Sequence, residues 1–452
     1  MKTKSKSYSK LMNIKKLKIL LLLAVILATT VSTQAQVWTL QQCIDTAQVY
    51  NKSLQISKNN ISISEQKHKE ANAGLLPKVN VIADYKYFIE LPYQLMPLSL
   101  FGGPEGQFKE AQFGVPHNIN TNLQLTIPLF NSQVIGAMRT TKIASELTNL
   151  YYQKTEEQVF FEISNMYYNA QILMYQSSFI DSNIVNTKIL HNNMQLLKEQ
   201  LMVKETDVTK VQLQLEQLIT QKEIVVNKFE QIMNALKYSM GISINQNILI
   251  DSVIIFQKSE DYSVSNLIDS RILETNSLII KSELKTLKNS RLPSLSFYGA
   301  FGATGFGYDE EPNDFLEFYP TTYVGVQFLY PLFNGTVTNR KINQKKIEFR
   351  NSELQLNLFK DQNAMLIENA RNQSAVAQRN VSTTAEQIKL AQTVYSQTIL
   401  QHTEGTATIT DVLLADNSLR EVQQTYLNAV IEYLKTDLEL KKLTGNMNIN
   451  KN

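Results

Sequence analysis

The four residues Pro-Leu-Phe-Asn occur twice in this chain, within TNLQLTIPLFNSQ (121–133) and within TYVGVQFLYPLFNGT (322–336). Before each copy, apolar and polar residues alternate, which is the pattern of a strand with one apolar face. The residues that follow, 135–200 and 339–402, contain no proline and are predicted to form long helices. The repeated stretch therefore predicts the same strand-to-helix junction twice, with Pro128 and Pro331 at the points of transition.

Further matches indicate that the whole chain is a tandem duplication. Leu76-Pro77 matches Leu292-Pro293, and Asp207-Val208 matches Asp411-Val412, at separations similar to that of the two junctions. Each repeat is predicted to contain a short helix, a strand pair, a long helix and a second short helix. The predicted division is a first repeat over 36–241 with strands within 76–130, a connecting segment over 242–263, a second repeat over 264–445 with strands within 292–333, and a tail over 446–452.

The first 35 residues have the pattern of a cleaved signal peptide, because lysines precede the apolar run 19–28 and small residues follow it. A retained membrane anchor is the alternative, although this run is short for a spanning helix. Removal of the segment takes seven of the 44 basic residues and no acidic residue, which leaves 37 basic against 41 acidic residues. This balance gives no argument for nucleic-acid binding.

Residue types that support catalysis or cofactor binding form no recognisable motif. Cys43 is the single cysteine, so it forms no internal disulfide and is predicted to pack in a core. The four histidines have no metal-site spacing, and no nucleophile elbow is present. We therefore expect no enzyme, no cofactor and no resident metal. The acidic loop 308–318 could hold a divalent cation, but its spacing fits no defined site and favours a solvated loop, and 91–117 is predicted to form surface turns.

Four amphipathic strands are predicted, as one hairpin in each repeat. In 78–87, for example, Val79 and Val81 fall on one face while Lys78 and Asn80 fall on the other. The pattern suits a transmembrane barrel, although a soluble sandwich gives the same alternation. Four strands cannot close a barrel and open edges cannot lie in lipid, so a membrane location requires association with further copies of the chain.

Heptad spacing continues through the second long helix from Ile367 to His402 and predicts coiled-coil packing. At ~1.5 Å per residue, each long helix is about 100 Å long. Two short helices placed end to end match one long helix, which predicts a rod of constant thickness in each repeat. The expected fold is thus mostly α, with antiparallel coiled coils and four strands. The short helices are predicted over 40–73, 207–240, 264–290 and 411–444.

Several of these stretches together resemble the TolC family of outer-membrane efflux proteins over essentially all of the chain after the signal peptide. They are LQQCIDTAQVYNKSLQISK (40–58), both Leu-Pro and both Pro-Leu-Phe-Asn sites, GTATITDVLLADNSL (405–419) and Leu443-Thr444-Gly445. The resemblance implies a homotrimer with one twelve-stranded barrel in the outer membrane and a helical tunnel in the periplasm. It also implies docking to a periplasmic adaptor and to an inner-membrane pump of the RND or ABC type.

The resemblance places a gate at the periplasmic tip of the tunnel. Asp411 corresponds to the family's acidic constriction ring, where three carboxylates would attract cations, although an aspartate at a helix start also caps its own helix. Leu414 replaces a second acid of many relatives and suggests an apolar collar. Asp207 and His402 occupy the positions of a tip contact, so we hypothesise a latch between them; the alternative for His402 is a packed seam residue.

The sequence predicts an outer-membrane channel-tunnel that exports small molecules as the exit duct of a tripartite efflux pump. The exit duct of a type I protein secretion system is the alternative within the same class, since both systems use the same outer component. A coiled-coil structural or adhesion protein of the cell surface is the alternative from another class. Such a protein would not need four lipid-facing strands divided between two repeats.

Overall fold

The computed structural model describes residues 37–254, 262–265 and 267–447, so the predicted signal peptide and parts of the connecting segment and tail lie outside the described residues. A short 3-10 helix over Leu98–Phe101 accompanies the regular elements. In chain order these are β1 (Val37–Trp38), α1 (Leu40–Tyr50), α2 (Lys52–Ala73), β2 (Lys78–Tyr87), β3 (Tyr93–Pro97), β4 (Phe108–Gln112), β5 (His117–Phe130), α3 (Ser132–Glu199), α4 (Glu205–Met240), β6 (Leu249–Ile250), α5 (Ile268–Asn289), β7 (Ser294–Tyr308), β8 (Phe315–Leu329), α6 (Val337–Thr403) and α7 (Ile409–Leu443).

The four long strands form one antiparallel sheet in the order β2-β5-β7-β8. Strand β2 pairs with β5 and β7 pairs with β8, so each repeat supplies one hairpin, and the β5–β7 pair joins the repeats. Strands β2 and β8 are the two edges of this sheet. The loop 91–117 differs from the prediction of surface turns, because β3 and β4 pair there as a separate small hairpin.

The strand register sorts the side chains of the four-stranded sheet onto an apolar and a polar face. Val79 lies opposite Leu125 on the apolar face, and Asn80 lies opposite Gln124 on the polar face. Because successive side chains of a strand point to opposite faces, this separation continues along each strand. The lysines and carboxylates of these four strands all fall on the polar face: Lys78, Asp84, Lys86 and Glu317.

The two Pro-Leu-Phe-Asn junctions differ in detail. In the first, β5 continues past Pro128 to Phe130 with an irregular register, and the side chain of Asn131 caps α3. In the second, β8 ends before Pro331, and Thr336 has a φ of 68° immediately before α6. The same four residues therefore lead from strand to helix through two different local geometries.

Each long helix lies beside two shorter ones placed end to end. Helix α3 has 68 residues and packs against α2 and α5 in its first half and against α4 in its second half. Helix α6 has 67 residues and packs against α5 and α7. None of the helices in the described residues combines the length and apolarity needed to cross a membrane. The heptad seam is confirmed by its buried members Ile367, Ala370, Ser374, Ala377, Thr384 and Tyr395.

The first short helix is interrupted at Asn51, where the prediction of one helix over 40–73 was wrong. The Asn51 side chain accepts a hydrogen bond from Leu54 N at 3.0 Å and donates one to Ser239 O at 2.6 Å. The first bond caps α2, and the second attaches the break to the end of α4. Because Ser239 is distant in sequence, the helical pattern of 40–73 alone did not reveal the break.

The largest apolar core, termed the equatorial core, lies where α1, α3 and the end of α4 meet. Ile248 and Ile250 of the connecting segment and Met447 of the tail are buried in it. These segments therefore close the core from outside the helical hairpins. Other buried members are Cys43, Ile44, Leu54, Phe160, Ile163, Ala170, Leu236 and Met240.

Cys43 is expected to resist thiol reagents in the folded protein. It has no exposed surface, and burial raises the pKa of its thiol to about 12. Since the thiolate is the reactive form, maleimide at pH 8 should leave native Cys43 unmodified and label it readily in denaturant. Mass spectrometry of both samples checks this expectation, and rapid labelling of the native protein would contradict it.

Candidate functional site

The ends of the two helical hairpins, far from the sheet, form the region termed the tip. Residues 200–204 connect α3 to α4, and residues 404–408 connect α6 to α7. Leu201 and Gly405 reverse the chain with φ values of 60° and 75°. One apolar cluster, termed the tip cluster, joins the two hairpins. Its buried members are Met194, Val208, Val211, Tyr395, Ile409, Val412, Ala415 and Leu419.

Asp411 lies at the third position of α7 and forms a capping box with Thr408. Its carboxylate accepts hydrogen bonds from Thr408 N at 2.8 Å and Thr408 Oγ1 at 2.6 Å, while Asp411 N donates to Thr408 Oγ1 at 3.2 Å. Thr408, rather than Asp411, is therefore the N-cap. These bonds hold the pKa of the Asp411 carboxyl below its usual range. The geometry keeps an exposed negative charge in a fixed orientation at the start of α7.

Leu414 lies one helical turn after Asp411 on the exposed face of α7. Its side chain is 62% exposed, whereas Val412 and Ala415 on the opposite face are buried in the tip cluster. Residues three apart on a helix are neighbours, so a carboxylate and a large apolar side chain form one exposed patch. The structure thus places Asp411 and Leu414 side by side, with most of the Leu414 side chain exposed.

Within the protomer, Asp207 and His402 do not form the hypothesised hydrogen bond. The Asp207 carboxylate lies 3.2 Å from Lys210 Nζ on its own helix. His402 Nδ1 lies 2.9 Å from Ala407 O and bonds its own turn, and His402 Nε2 has no partner among the described residues. The turn of the second hairpin is tight enough for a ring at position 402 to bond the carbonyl five residues later. His402 therefore bonds the turn of its own hairpin instead of Asp207, the partner that the sequence suggested.

A buried polar network beneath the tip was not predicted. Asp416 of α7 is 4% exposed and accepts hydrogen bonds from Arg420 Nη2 at 2.5 Å and from Gln214 Nε2 of α4 at 3.1 Å. Asn417 Oδ1 accepts from the same two side chains. The network links the two hairpins next to the tip cluster. The sequence feature that could have revealed this network is the pair of Asp416 and Arg420, four residues apart. Asp416 also lies between Val412 and Leu419 of the apolar seam.

Burial sets the electrostatics of this network. Desolvation raises the pKa of the Asp416 carboxyl, although Arg420 and Gln214 act in the opposite direction. Desolvation likewise lowers the pKa of the Arg420 guanidinium. Each charge is therefore tolerated in this position mainly because the other is present.

The acidic loop 308–318 contains no gathered ligand set. Asp309 lies 3.2 Å from His117 Nε2, and Tyr308 donates a hydrogen bond to Glu310 at 2.6 Å. Asp309 and Glu310 thus have separate protein partners instead of a common centre. Within the described ranges, no group of three or more His, Cys, Asp or Glu residues is placed to hold a metal ion.

Comparison with known proteins gives a consistent result. Residues 283–446 match the family model described as outer membrane efflux protein. The chain is 20% identical over 435 residues to the outer membrane protein TolC of Salmonella enteritidis, a match that covers 92% of this chain and 84% of the relative. The solved structure of VceC from Vibrio cholerae aligns with a TM-score of 0.73 at 14% identity, covering 90% of this chain and 96% of VceC. The CmeC outer membrane channel of Campylobacter jejuni aligns with a TM-score of 0.73 at 14% identity, covering 91% and 87%.

Proposed function

We propose that this chain is an outer membrane efflux protein of the TolC type and that three copies enclose one duct through which small molecules leave the cell. It resides in the outer membrane, with its helical tunnel in the periplasm, and it acts as an exit duct for efflux pumps. TolC-like channels are trimeric and work with such pumps. The proposal assigns the transport energy to the pump and no catalytic step to the duct.

The observation that carries the trimer is the four-stranded sheet with one apolar face and two unpaired edges. Edge strands have unpaired backbone groups that lipid cannot satisfy. Pairing of β8 in one protomer with β2 in the next would satisfy them and close a twelve-stranded barrel. The apolar face would then contact lipid, and the polar face would line the lumen.

The proposed closed gate is the exposed patch of Asp411 and Leu414 at the tip. Around a three-fold axis the patch would give a ring of three carboxylates next to a collar of three leucines. A carboxylate ring favours cations, and an apolar constriction opposes hydration of the pore. Asp207 and His402 are the proposed latch between neighbouring protomers. His402 Nε2 is buried and has no partner among the described residues, so this contact requires the turn over 404–408 to move and expose the ring.

The proposed partners are a periplasmic adaptor and an inner-membrane pump of the RND or ABC type. The helical hairpins extend about 100 Å from the sheet, given ~1.5 Å of rise per residue. That length would carry the tip across much of the periplasm, where an adaptor can reach it. Drugs and other toxic small molecules are the cargo we propose for this pump.

Single-channel recording in a planar bilayer tests the duct and its gate together. Wild-type protein is expected to give small, cation-preferring currents, and Asp411→Ala should raise the conductance and reduce the preference for cations, because the carboxylate ring is lost. Thr410→Ala is the matched control, since residue 410 is exposed on the same turn and carries no charge. Folded trimers that give no current would contradict the duct, and an Asp411→Ala channel identical to wild type would place the gate elsewhere.

A further inference from the structure

A row of aromatic side chains follows the polar face of the β7–β8 hairpin. It is formed by three pairs: Tyr298 with Tyr323, Phe306 with Tyr319, and Tyr308 with Phe315. Their ring centroids are 6.2, 6.0 and 6.5 Å apart, respectively. The register places all six residues on the same face as Asn80 and Gln124. We term these six residues the aromatic track.

The track is not required to fill a core. Tyr319 and Tyr323 are 50% and 48% exposed, and Phe315 is 40% exposed. Aromatic side chains of a lipid-facing barrel are expected on its outer face, yet these residues occur on the face that carries the charges. At Tyr298 the opposite residue is Gly325, and a Cβ added there would lie 2.7 Å from Tyr298 Cζ. The missing side chain at Gly325 leaves the space that the Tyr298 ring occupies.

Uncharged amide groups lie on the strand next to the track. Asn118, Asn120, Asn122 and Gln124 follow one another on the same face of β5, the strand that pairs with β7. Asn118 is opposite Phe306, and Asn120 is opposite Thr304. Neighbouring strands are ~4.8 Å apart, so a ligand that packs on an aromatic ring of the track can also contact these amides. The charges of the four strands on this face are equal in number, two lysines and two carboxylates. Lys86 and Asp84 form an ion pair at 3.8 Å, and Glu317, opposite Phe306, accepts a hydrogen bond from Tyr319 of the track.

We propose that the aromatic track and the amide row beside it bind the sugar part of cargo as it passes through the barrel. The C–H face of a pyranose ring packs on an aromatic face, and its hydroxyl groups match the donors and acceptors of asparagine, glutamine and threonine. Because the positive and negative side chains of the four strands on this face are equal in number, it gives no net charge-based attraction, and we take the ligand class to be uncharged and polyhydroxylated. The Glu317 carboxylate is a further acceptor for sugar hydroxyl groups. This inference rests on the proposed function, because it takes the polar face as the lumen.

Two measurements with maltohexaose as the probe test the proposal. In a planar bilayer, the sugar added on the barrel side should produce transient current blocks. Saturation-transfer NMR on purified trimers, in a detergent without a sugar headgroup, should show transfer to the sugar protons. Tyr323→Ala is expected to shorten the blocks and weaken binding about three- to tenfold, because one ring contact is lost. Val324→Ala is the matched control, since residue 324 is the next position on β8 and lies on the apolar face.

The outcomes separate this inference from the proposed function. Equal effects of Tyr323→Ala and Val324→Ala, or no binding of maltohexaose by either method, would overturn the sugar site. Block by a planar aromatic cation but not by maltohexaose would also overturn it, in favour of aromatic cargo. Folded trimers that conduct no current would contradict the duct itself, and the NMR measurement would still decide whether the track binds sugar.

Discussion

Asp416→Asn is expected to lower the free energy of unfolding of the helical region by about 3–5 kcal/mol, the range measured when one partner of a buried ion pair is removed. The substitution leaves the Arg420 guanidinium in a mostly buried site without its counter-charge. It also weakens the bond from Gln214, which is the polar link from α7 to α4 in the other hairpin. The effect should therefore extend to the packing of the two hairpins at the tip.

Thermal unfolding followed by the helical circular dichroism signal measures this effect. The double variant Asp416→Leu with Arg420→Met should recover most of the loss, because apolar residues of similar size often replace a buried ion pair without cost. Glu386→Gln is the control, since Glu386 and Lys389 form an ion pair at 3.2 Å whose side chains are 71% and 73% exposed. Exposed pairs contribute roughly 0–1 kcal/mol. Equal melting of Asp416→Asn and Glu386→Gln would contradict the role of the network.

Gly241→Ala is expected to separate the end of α4 from the α1–α2 break. Gly241 has a φ of 77°, which costs an alanine about 1–2 kcal/mol. In addition, an added Cβ would lie 2.2 Å from Tyr50 O, so the backbone at the Asn51 break would have to move. Such overpacking costs about 1–3 kcal/mol more. The bond from Asn51 Nδ2 to Ser239 O, which attaches the break to α4, should be lost as well.

Gly405→Ala isolates the contribution of backbone conformation. Gly405 has nearly the same φ, 75°, but nothing lies within 4 Å of an added Cβ. Thermal unfolding of both variants should show a small loss for Gly405→Ala and a clearly larger loss for Gly241→Ala. Hydrogen exchange should report new opening near Tyr50 and Asn51 only in Gly241→Ala. Equal losses of stability in the two variants would show that the close approach to Tyr50 does not contribute to the effect of Gly241→Ala.

Local patterns in the chain were sufficient for the strands and the long helices. Period-two alternation identified the four strands, because each strand has one face toward an apolar environment regardless of what it pairs with. The heptad seam from Ile367 likewise identified the coiled-coil face of α6, because an amphipathic helix buries its apolar side chains along one face. Motif resemblance then indicated the same family as the model match over residues 283–446 and the similarity to TolC.

The details at the tip and at the equator depended on contacts between distant segments. Asp416 has a partner in Gln214, which is 202 residues away, and no local pattern distinguishes this partner from others. The contact of His402 is instead local, since the ring bonds the carbonyl of Ala407 in its own turn. Asn51 likewise breaks a helix that its own sequence supports, because the end of α4 supplies a carbonyl to bond.

Sequence alone thus determined which segments are strands and helices and which face of each is apolar, since periodicity is a property of the chain itself. Tertiary structure alone decided where α1 ends, how the two hairpins are joined at Asp416, and that the rings of the track line up beside the amides of β5. The reason is physical: a buried polar group or a ring takes its partner from whichever segment packs against it, and that segment is set by the fold.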